Sequence, residues 1–446
     1  MIENKYPKVL IFGAPFNNFS GGGITLSNLF RGWPKDRIAV TSTGHVLQDV
    51  STDVCDVFYL LGDGEQKWKF PLNFLQRPFP SGLMEFDKNK SSAPAASARK
   101  NIRRFVVDKL FYPFIHWLGL FHSLSEIYFS KKFKEWMDEF RPEILYLQVS
   151  SREEILFALQ LHEYLSVPSV IHMMDDWPST ISRNGLFVNY WGKKIDSEFR
   201  QLLDRIDLFL SISEAMSSEY KKRYNRLFKP FHNPIDISKF NNRTREKSEE
   251  DKTFRIVYLG RIGVANKHSI HSFANAVSKL QLDAIKVMLD IYSTGVEYSD
   301  SRKIDKLKNI RILPPVRHEM VPALLSEYDL LLLPLDFTRS GFKYAQYSIP
   351  TKASEYMMSG TPIIVFAPKE TAISRFCSDH ECGYCITDNS EKSVSDAIEF
   401  LVINKVHREK ISSNAVRLAA QLFDANKVRN EFQQLLINTS KSNVHR

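Results

Sequence analysis

The chain has 446 residues, of which 43% are hydrophobic and 25% charged, and it carries a formal net charge of +9. This length suits about two or three domains with sizeable cores, and the lack of any uncharged apolar run of about 18 residues argues against a membrane-spanning helix. The positive charge fits nucleic acid, an anionic membrane or a phosphorylated small molecule, but no zinc finger, aromatic RNA-binding signature or long Lys/Arg run supports nucleic acid.

Short apolar runs alternate with helical patterns through the N-terminal half. Residues 8–13 predict a strand, which is followed by a glycine loop at 21–23 and then a helix. Further strands are predicted at 144–149, 169–172 and 208–213, and helices at 152–165 and 214–224. Buried strands that alternate with helices indicate a parallel, doubly wound sheet.

Residues 85–130 are predicted to be an insertion rich in basic and aromatic residues. The basic stretch 99–104 leads into the aromatic-rich stretch 110–121. Such a segment suits the headgroup region of a membrane, with aromatic rings at the boundary and arginines on anionic lipid. We therefore expect 99–128 to contact an anionic membrane surface. A core-facing helix with a solvated basic start is the alternative.

A polar, charged interval at 241–252 separates this half from a second series of strands. These strands are predicted at 254–259, 284–291, 310–313, 330–334 and 362–366, with helical patterns between them. Two domains of this kind that face each other place a ligand cleft at the carboxyl ends of both sheets. We predict domains at 1–235 and 236–420, and a C-terminal helix within 421–446 that is free to cross back to the N-terminal domain.

Cysteine usage and the N-terminus indicate the cytoplasm. Four cysteines do not make a disulfide framework, and the first residues lack the basic-then-apolar order of a signal peptide. Cys377, His380, Cys382 and Cys385 are potential metal ligands, but they lie too close together in the chain to wrap a tetrahedral site easily. We therefore predict no metal, and cysteines that act as small hydrophobic residues.

A helix predicted over about 350–359 has a start suited to an anion. Pro350 fits a first turn, Ser348 or Thr351 can cap it, and Gly360 ends it. The start of such a helix points free N–H groups and the positive end of the dipole at one place.

Two charged residues in this helix indicate a nucleotide. Lys352 puts a positive charge in the first turn, where the dipole disfavours cations, and a bound anion would remove the conflict. Glu355 lies roughly one turn further on, where a carboxylate can accept two hydrogen bonds from a vicinal diol such as a ribose. Diphosphate and ribose together make a nucleotide. An ordinary amphipathic helix after a turn is the alternative.

Three motifs of the C-terminal half together resemble glycosyltransferase family 4. They are 258–263 with Lys267 downstream, 329–334, and 350–356 with 360–362. Their order and spacing match the family over the whole C-terminal half, although each motif alone is weak. The N-terminal half resembles the family more loosely, at 21–23, 172–176 and 232–236.

The resemblance implies an α/β GT-B fold, with two Rossmann-like domains facing across a cleft, and metal-independent transfer with retention at the anomeric carbon. Arg261 and Lys267 would neutralise the donor diphosphate as it leaves, an electrostatic role that needs no metal. Glu355 would hold the ribose hydroxyls. The backbone around Val316 and Arg317 would face the base.

Tyr347 departs from the family pattern, because many members carry a glutamate at this position. The carboxylate contact to the donor sugar is therefore missing, although the surrounding motif is similar to a variant of bacterial polysaccharide transferases. We expect altered donor handling, and a degenerate, non-catalytic relative is the alternative. The residues assigned to donor binding are Gly22, Gly23, Val316, Arg317, Tyr347, Ser348, Thr351 and Lys352.

A polar group of residues follows the strand predicted at 169–172. His172 resembles the family's histidine near the donor sugar, and we assign it a catalytic role with Arg261, Lys267 and Glu355. Asp175 and Asp176 could bind acceptor hydroxyls, and Trp177 could stack on a sugar.

We therefore predict a cytoplasmic, retaining glycosyltransferase that needs no cofactor and binds no nucleic acid. It would move a sugar from a nucleotide-diphosphate sugar to a glycan or a polyprenyl-diphosphate-linked acceptor during surface polysaccharide synthesis. The alternatives are a sugar-nucleotide epimerase or phosphorylase on the same fold, and a scaffold that binds nucleotide without turnover. A peripheral position on the inner face of the cell membrane is a further expectation.

Overall fold

The computed structural model describes residues 6–442 except 45, 48–49, 71, 77, 86–110, 182–184, 241–251, 283–284, 294–303 and 305. The basic stretch 99–104 and nearly all of the interval predicted at 241–252 lie outside the described residues. The chain divides into two compact units. Unit 1 comprises Met1–Leu210, Tyr220–Lys229 and Phe432–Arg446, and unit 2 comprises Ser211–Glu219 and Pro230–Glu431. The boundary predicted at residue 235 falls inside unit 2.

Unit 1 is built on a mainly parallel sheet. The strands of the N-terminal part are β1 (Val9–Phe12), β2 (Ile38–Thr43), β3 (Phe58–Leu61), β4 (Gln66–Trp68), β5 (Gly82–Leu83), β6 (Ser125–Ile127), β7 (Ile144–Leu147), β8 (Ser169–Met173), β9 (Leu208–Ser211) and β10 (Lys229–Pro230). The sheet order is β10-β9-β8-β7-β1-β2-β3-β5. The pairs from β8 through β7, β1 and β2 to β3 are parallel, and β5 joins β3 antiparallel. Strands β4 and β6 form a separate antiparallel pair.

Helices connect these strands. They are α1 (Gly21–Phe30), α2 (Tyr112–Trp117), α3 (Phe121–Leu124), α4 (Lys131–Phe140), α5 (Arg152–Leu165), α6 (Val188–Leu203) and α7 (Glu214–Tyr224). The short 3-10 turns among the described residues are Lys35–Arg37, Leu72–Leu75, Trp177–Ser179, Ile237–Lys239 and His318–Met320. Because the central strands are parallel, the segments that follow β1, β7 and β8 lie at the same edge of the sheet.

Unit 2 is built on a parallel six-stranded sheet. Its strands are β11 (Thr253–Leu259), β12 (Lys286–Tyr292), β13 (Ile310–Leu313), β14 (Leu330–Pro334), β15 (Ile363–Phe366) and β16 (Tyr384–Ile386), in the order β13-β12-β11-β14-β15-β16. The helices that follow in the chain are α8 (Lys267–Lys279), α9 (Val321–Leu325), α10 (Arg339–Ala345), α11 (Lys352–Met358), α12 (Ala372–Asp379), α13 (Glu391–Ile403), α14 (Lys405–Leu422) and α15 (Ala425–Lys441).

Strand β14 shows why this sheet is covered on both faces. All five of its residues are buried. Leu331 and Leu333 belong to one core cluster, whereas Leu330 and Leu332 belong to the cluster on the other side. Successive side chains of a strand point to opposite faces, so an uninterrupted leucine run requires helices on both sides. The doubly wound sheet predicted from the sequence is confirmed.

The second half of α15 completes the core of unit 1. The ring of Phe432 packs edge-on against Phe30, at 5.2 Å between ring centres, and against Tyr146 at 6.1 Å. Gln433 Nε2 donates to the carbonyls of Leu29 at 3.3 Å and Arg31 at 3.1 Å. The contacts with Leu29, Phe30 and Arg31 join residues more than 400 positions apart in sequence, and the Gln433 amide closes the end of α1.

Candidate active site

The first C-terminal motif folds into a tight loop after β11. The Tyr258 hydroxyl donates to the Arg261 carbonyl at 2.7 Å, and Asn266 Nδ2 donates to the same hydroxyl at 2.8 Å. Asn266 Oδ1 accepts from the Gly263 N–H at 3.0 Å. Side chains of the strand and the loop therefore hold the loop closed. Arg261 is exposed on it, and Lys267 is the first residue of α8.

Lys352 connects the second motif to this loop. Its Nζ lies 4.0 Å from the centre of the Tyr258 ring, a cation–π contact. A Cβ built on Gly260 would lie 2.4 Å from the same Nζ. Gly260 also has φ +134°, a conformation that other residues rarely adopt. The lysine predicted to bind phosphate thus packs against the loop that carries Arg261 and precedes Lys267.

The charges around Lys352 favour an anionic ligand. Burial lowers the pKa of Lys352 from 10.5 to about 7, and the neighbouring Glu355 opposes that shift. Burial also raises the pKa of Glu355, against the effect of nearby His318, Lys352 and Lys239. A lysine whose charged form is disfavoured by desolvation gains from an anion at short range. A phosphate beside Lys352 would therefore restore its protonated form.

Glu355 lies next to the segment predicted to face the base. Its side chain is 17% exposed, and His318 Nε2 lies 3.5 Å from its Oε1. His318 begins a 3-10 turn directly after Arg317, which is exposed, whereas Val316 packs against the core. The structure therefore brings the predicted ribose-binding carboxylate close to the predicted base-binding backbone. No motif in the sequence marks His318, and its position after Arg317 is the one available signal.

The helix of the second motif begins later than predicted. Helix α11 starts at Lys352, two residues after Pro350. Thr351 occupies the N-cap position, but its side chain makes no capping bond. The predicted helix end is confirmed, since Gly360 follows it with φ +77°.

The loop before α11 is held through its backbone. Ser213 Oγ donates to the Tyr347 carbonyl, and Asn233 Nδ2 donates to the Thr351 carbonyl at 3.3 Å. Both donors lie far away in sequence but belong to unit 2. Of the predicted donor-binding residues in this loop, Tyr347 and Thr351 are therefore positioned by main-chain contacts. Their side chains take no part in these two hydrogen bonds.

A buried carboxylate fixes the start of α8. Asp336, which follows β14, is fully buried, and its Oδ1 accepts from the Ser269 N–H at 2.7 Å. Its own N–H donates to the Ala265 carbonyl, also at 2.7 Å. On the other side, the Tyr356 hydroxyl accepts from the Leu259 N–H at 2.9 Å and ties α11 to β11. Hydrogen bonds to Asp336 and to β11 therefore hold the two helices that carry Lys267 and Lys352. No sequence motif marks Asp336.

In unit 1, His172 is part of the core. It lies within β8, is 1% exposed, and its Nδ1 is hydrogen-bonded to the Tyr146 hydroxyl at 2.5 Å. The strand continues to Met173, one residue further than predicted, so the histidine does not emerge at the strand end. Its catalytic role stays a prediction.

Asp176 and Trp177 are also built into unit 1. Asp176 is 1% exposed and accepts from Arg223 Nη1 at 2.8 Å, from Arg223 Nη2 at 3.2 Å and from the Tyr220 hydroxyl at 3.0 Å. The Trp177 indole is buried and packs edge-on against Phe199, with ring centres 5.3 Å apart. Both side chains therefore make structural contacts within unit 1, and their acceptor roles stay predictions.

Substitution of Asp176 by alanine is expected to lower the free energy of unfolding by about 2–3 kcal/mol. This is less than the about 3–5 kcal/mol typical of breaking a fully buried ion pair, because the Arg223 side chain keeps 22% exposure. Asp175, which is partly exposed, provides the matched control: Asp175→Ala should change stability far less. Urea unfolding of both variants measures the difference. Equal stabilities, together with loss of transfer in Asp176→Ala alone, would restore the acceptor role.

The three glycines predicted as a loop form the first turn of α1. Ser20 caps this helix, and its Oγ accepts from the Gly23 N–H at 3.1 Å. A Cβ on Gly23 would lie 2.3 Å from the Asn17 amide, whereas a Cβ on Gly22 would meet only Met174, at 4.0 Å. Packing therefore requires glycine at 23, and Gly22 is the position that leaves the backbone accessible.

The cysteine segment packs as part of unit 2. Cys377 and Cys382 are buried in its core, and Cys385 lies in β16. All three thiols are free. Within the described part of the chain, no group of three or more His, Cys, Asp or Glu side chains is arranged to hold a metal ion.

Comparison with known proteins identifies the domain to which the C-terminal motifs belong. Residues 253–404 match the family model described as Glycosyl transferases group 1. Unit 2 contains a group 1 glycosyltransferase domain. The matched range includes Tyr258, Arg261, Lys267, Lys352 and Glu355, and so covers the whole arrangement around Lys352. No curated protein sequence matches the chain.

Solved structures extend the similarity beyond the group 1 glycosyltransferase domain to nearly the whole chain. HepE from Anabaena, in complex with UDP and glucose, is 12% identical, with a TM-score of 0.62 over 97% of this chain and 99% of that one. Sucrose-phosphate synthase from Thermosynechococcus elongatus is 11% identical, with a TM-score of 0.60 over 96% and 97%. WaaG, a glycosyltransferase involved in lipopolysaccharide biosynthesis, is 12% identical, with a TM-score of 0.55 over 96% and 99%. At these identities the likeness establishes the fold, and the predicted GT-B fold is confirmed.

Proposed function

We propose that this protein is a retaining, metal-independent glycosyltransferase that moves a sugar from a nucleotide-diphosphate sugar to a glycan or a polyprenyl-diphosphate-linked acceptor in surface polysaccharide biosynthesis. The observation that carries the proposal is the contact between Lys352 and the loop at Gly260, within a group 1 glycosyltransferase domain. That contact gathers residues from two distant motifs at one edge of unit 2. The UDP-glucose complex of HepE supports the donor class.

The cations of this site suit a diphosphate leaving group. Arg261 is exposed on the loop, Lys267 begins α8, and Lys352 lies against Tyr258. As the bond between the sugar and the diphosphate breaks, negative charge grows on the departing phosphate. Positive groups held in place beforehand stabilise that charge without reorganisation, and this is usually the largest catalytic contribution. The proposed independence from metal rests on this supply of protein cations.

Glu355 and its neighbours suit the nucleoside. Its carboxylate can accept hydrogen bonds from two vicinal hydroxyls, and the 3.5 Å separation from His318 keeps it close to the turn that follows Arg317. The base would then meet backbone around Val316 and Arg317. Donor handling is proposed to differ from that of relatives with a glutamate at position 347, because Tyr347 offers no carboxylate.

The acceptor and the location are proposed from residues of unit 1 and from a related structure. Asp175 is partly exposed beside the core residues that follow β8, and Gly22 leaves backbone accessible at the start of α1. The role of WaaG in lipopolysaccharide biosynthesis supports a surface polysaccharide as the product. We propose that the enzyme works in the cytoplasm, on the inner face of the membrane where a polyprenyl-linked acceptor is held.

A thermal-shift screen against UDP, GDP, ADP and CMP, with and without EDTA, tests the donor site. A ligand that binds only the folded chain stabilises it by about 2.7 kcal/mol at 100 times its Kd. We expect one nucleoside diphosphate to raise the Tm, and EDTA to leave that shift unchanged. No shift with any of the four would contradict the proposal.

Incubation with the matching nucleotide sugar then separates the rival functions. Release of nucleoside diphosphate, by transfer or slow donor hydrolysis, supports the transferase. Isomerisation of the donor without any acceptor would instead identify an epimerase, and a requirement for phosphate would identify a phosphorylase. Binding with no turnover would identify a scaffold.

A further inference from the structure

The Glu355 carboxylate is enclosed, yet it makes no hydrogen bond to any described residue. Its side chain is 17% exposed, and its one direct partner among the described residues is His318, with Nε2 at 3.5 Å from Oε1. An ionised carboxylate has two oxygens and about four lone-pair sites, and an enclosed acceptor that stays unfilled costs free energy. The carboxylate is therefore arranged for a ligand that brings more than one donor.

The positive groups around Glu355 differ in how they reach it. Burial raises the pKa of Glu355, and His318, Lys352 and Lys239 oppose that shift. The Lys352 amine lies 4.0 Å from the centre of the Tyr258 ring, so it faces the loop after β11. Lys239 is exposed in the turn Ile237–Lys239 and acts through its charge, without an ion pair to Glu355. The direct contact with the carboxylate thus comes from His318.

The segment that carries His318 has a fixed backbone. Pro314 and Pro315 follow β13, and a proline ring holds φ at about −65°. Arg317 is extended, with φ −64° and ψ 143°. The Met320 N–H then donates to the Arg317 carbonyl at 2.9 Å and closes the 3-10 turn. The imidazole is therefore presented from a backbone with little freedom to move.

The same segment is tied to the helix that carries Glu355. Helix α9 follows the turn directly, and the Val321 N–H donates to the His318 carbonyl. At the other end of α9, the Leu325 carbonyl accepts from Thr361 Oγ1 at 2.9 Å, just beyond the end of α11. Leu325 is fully buried in the core cluster that also contains residues of α11. This packing fixes the separation between His318 and Glu355.

We propose that His318 is a positioning residue that holds the Glu355 carboxylate on the ribose, and that this pair makes the site select ribonucleotide donors over 2′-deoxythymidine donors. The inference rests on the proposed function, in which Glu355 binds two ribose hydroxyls. A 2′-deoxyribose brings one donor fewer, and the enclosed carboxylate then keeps an acceptor site unfilled. Sites built to bond a hydroxyl strongly reject the analogue that lacks it. His318 adds to this rejection, because it prevents the carboxylate from turning to another partner.

Calorimetric titration of the full chain with UDP and 2′-deoxy-UDP, and in parallel with GDP and 2′-deoxy-GDP, tests the inference. Wild type should bind the ribonucleotide of one pair at least about tenfold more tightly than its deoxy counterpart, the factor expected for one hydrogen bond to a charged group. His318→Ala should weaken binding of that ribonucleotide about fivefold, and binding of the deoxynucleotide less. The preference for ribose therefore narrows.

Two further variants of the same turn check the role of the imidazole. His318→Gln keeps a side-chain N–H donor and should recover part of the lost affinity. Glu319→Ala, at an exposed position in the turn, is the matched control and should keep the wild-type affinity and ribose preference. Melting curves of all variants should agree with wild type, because the His318 side chain is 55% exposed.

A double-variant cycle separates action through Glu355 from a contact with the base. His318→Ala should add little to the effect of Glu355→Gln, since the carboxylate that it positions is already gone. Additive effects, or equal weakening of the ribonucleotide and its deoxy counterpart, would overturn the inference and assign His318 to the base. A ribose preference that depends on Glu355 but survives in His318→Ala would overturn this inference alone. Absence of binding by all four ligands to wild type would contradict the proposed function itself.

Discussion

Replacement of Glu355 by glutamine is expected to lower kcat/KM for sugar transfer by about 100-fold to 1,000-fold while the protein stays folded. The variant loses charge-assisted hydrogen bonds to two ribose hydroxyls, each of which contributes about 1.5–3 kcal/mol. It also removes the negative charge that raises the pKa of Lys352. Because burial already disfavours the charged form of Glu355, a neutral side chain of the same shape should not reduce stability. Steady-state kinetics and a melting curve measure the two effects.

The control for this variant is Glu399→Gln, at an exposed position on α13 in the same unit. It removes one carboxylate from unit 2 without touching the motif loops. Equal kcat/KM for the two variants would show that Glu355 does not contact the donor. A lower Tm in Glu355→Gln alone would show that the carboxylate has a structural role.

The second large effect is expected from Lys352→Met. Lys352 has a pKa of about 7 in the folded chain, so its amine is mostly neutral at pH 9. The amine must take up a proton before it can bind a diphosphate as a charged ammonium group. Wild-type affinity for UDP or another cognate diphosphate should therefore fall as the pH rises from 7 to 9, by up to about tenfold per pH unit. The terminal phosphate has a second pKa near 6 and is already ionised across this window. The variant should bind about 10 to 100 times more weakly at pH 7 and show no such pH dependence.

Calorimetric titration at pH 7 and pH 9, in buffers of different ionisation enthalpy, measures this proton uptake directly. Lys369→Met, at an exposed position in unit 2, is the control and should retain the wild-type pH dependence. A slope that survives in Lys352→Met would assign the titrating group to another residue.

The fold of Lys352→Met should be intact, because the pKa of this lysine is lower in the folded chain than in the unfolded chain. Folding therefore disfavours its charge. The unfolded chain binds more protons between about pH 7 and pH 10.4, so wild type gains stability as the pH rises through that window. The variant lacks this gain, and its stability at pH 7 should not be lower than that of wild type.

Local sequence patterns predicted the helices and strands whose limits are marked by capping residues or by apolar runs. Helices α5 and α7 have the predicted limits, and α5 starts where Ser151 Oγ accepts from the Glu154 N–H. Strand β14 also has the predicted limits. Its leucines are buried on both faces of the sheet, so the whole strand is visible in the sequence as an apolar run. Strand β2 was not predicted. Its buried residues include Thr41, Ser42 and Thr43, and because their side chains are polar, a hydrophobicity pattern does not identify them as buried.

The candidate site was predictable as a set of motifs, but the contacts between them were not. Motif spacing indicated Lys352 and Glu355, yet nothing in the sequence places the Lys352 amine in the space beside Gly260. Asp176 followed a strand, as a ligand-binding residue often does, but Arg223, 47 residues further along the chain, neutralises it. Such pairings depend on which helices pack together, and local periodicity does not encode that information.

The C-terminal helix imposes an order on how the chain reaches its native state during synthesis. Phe432 and Gln433 complete the packing around α1, the first helix of unit 1, and they leave the ribosome only after all of unit 2. Domains generally fold as they are made, starting with the N-terminal one. Here the first half of the chain must wait for the last helix before its core closes, and until then the apolar surface around Phe30 is open to chaperones.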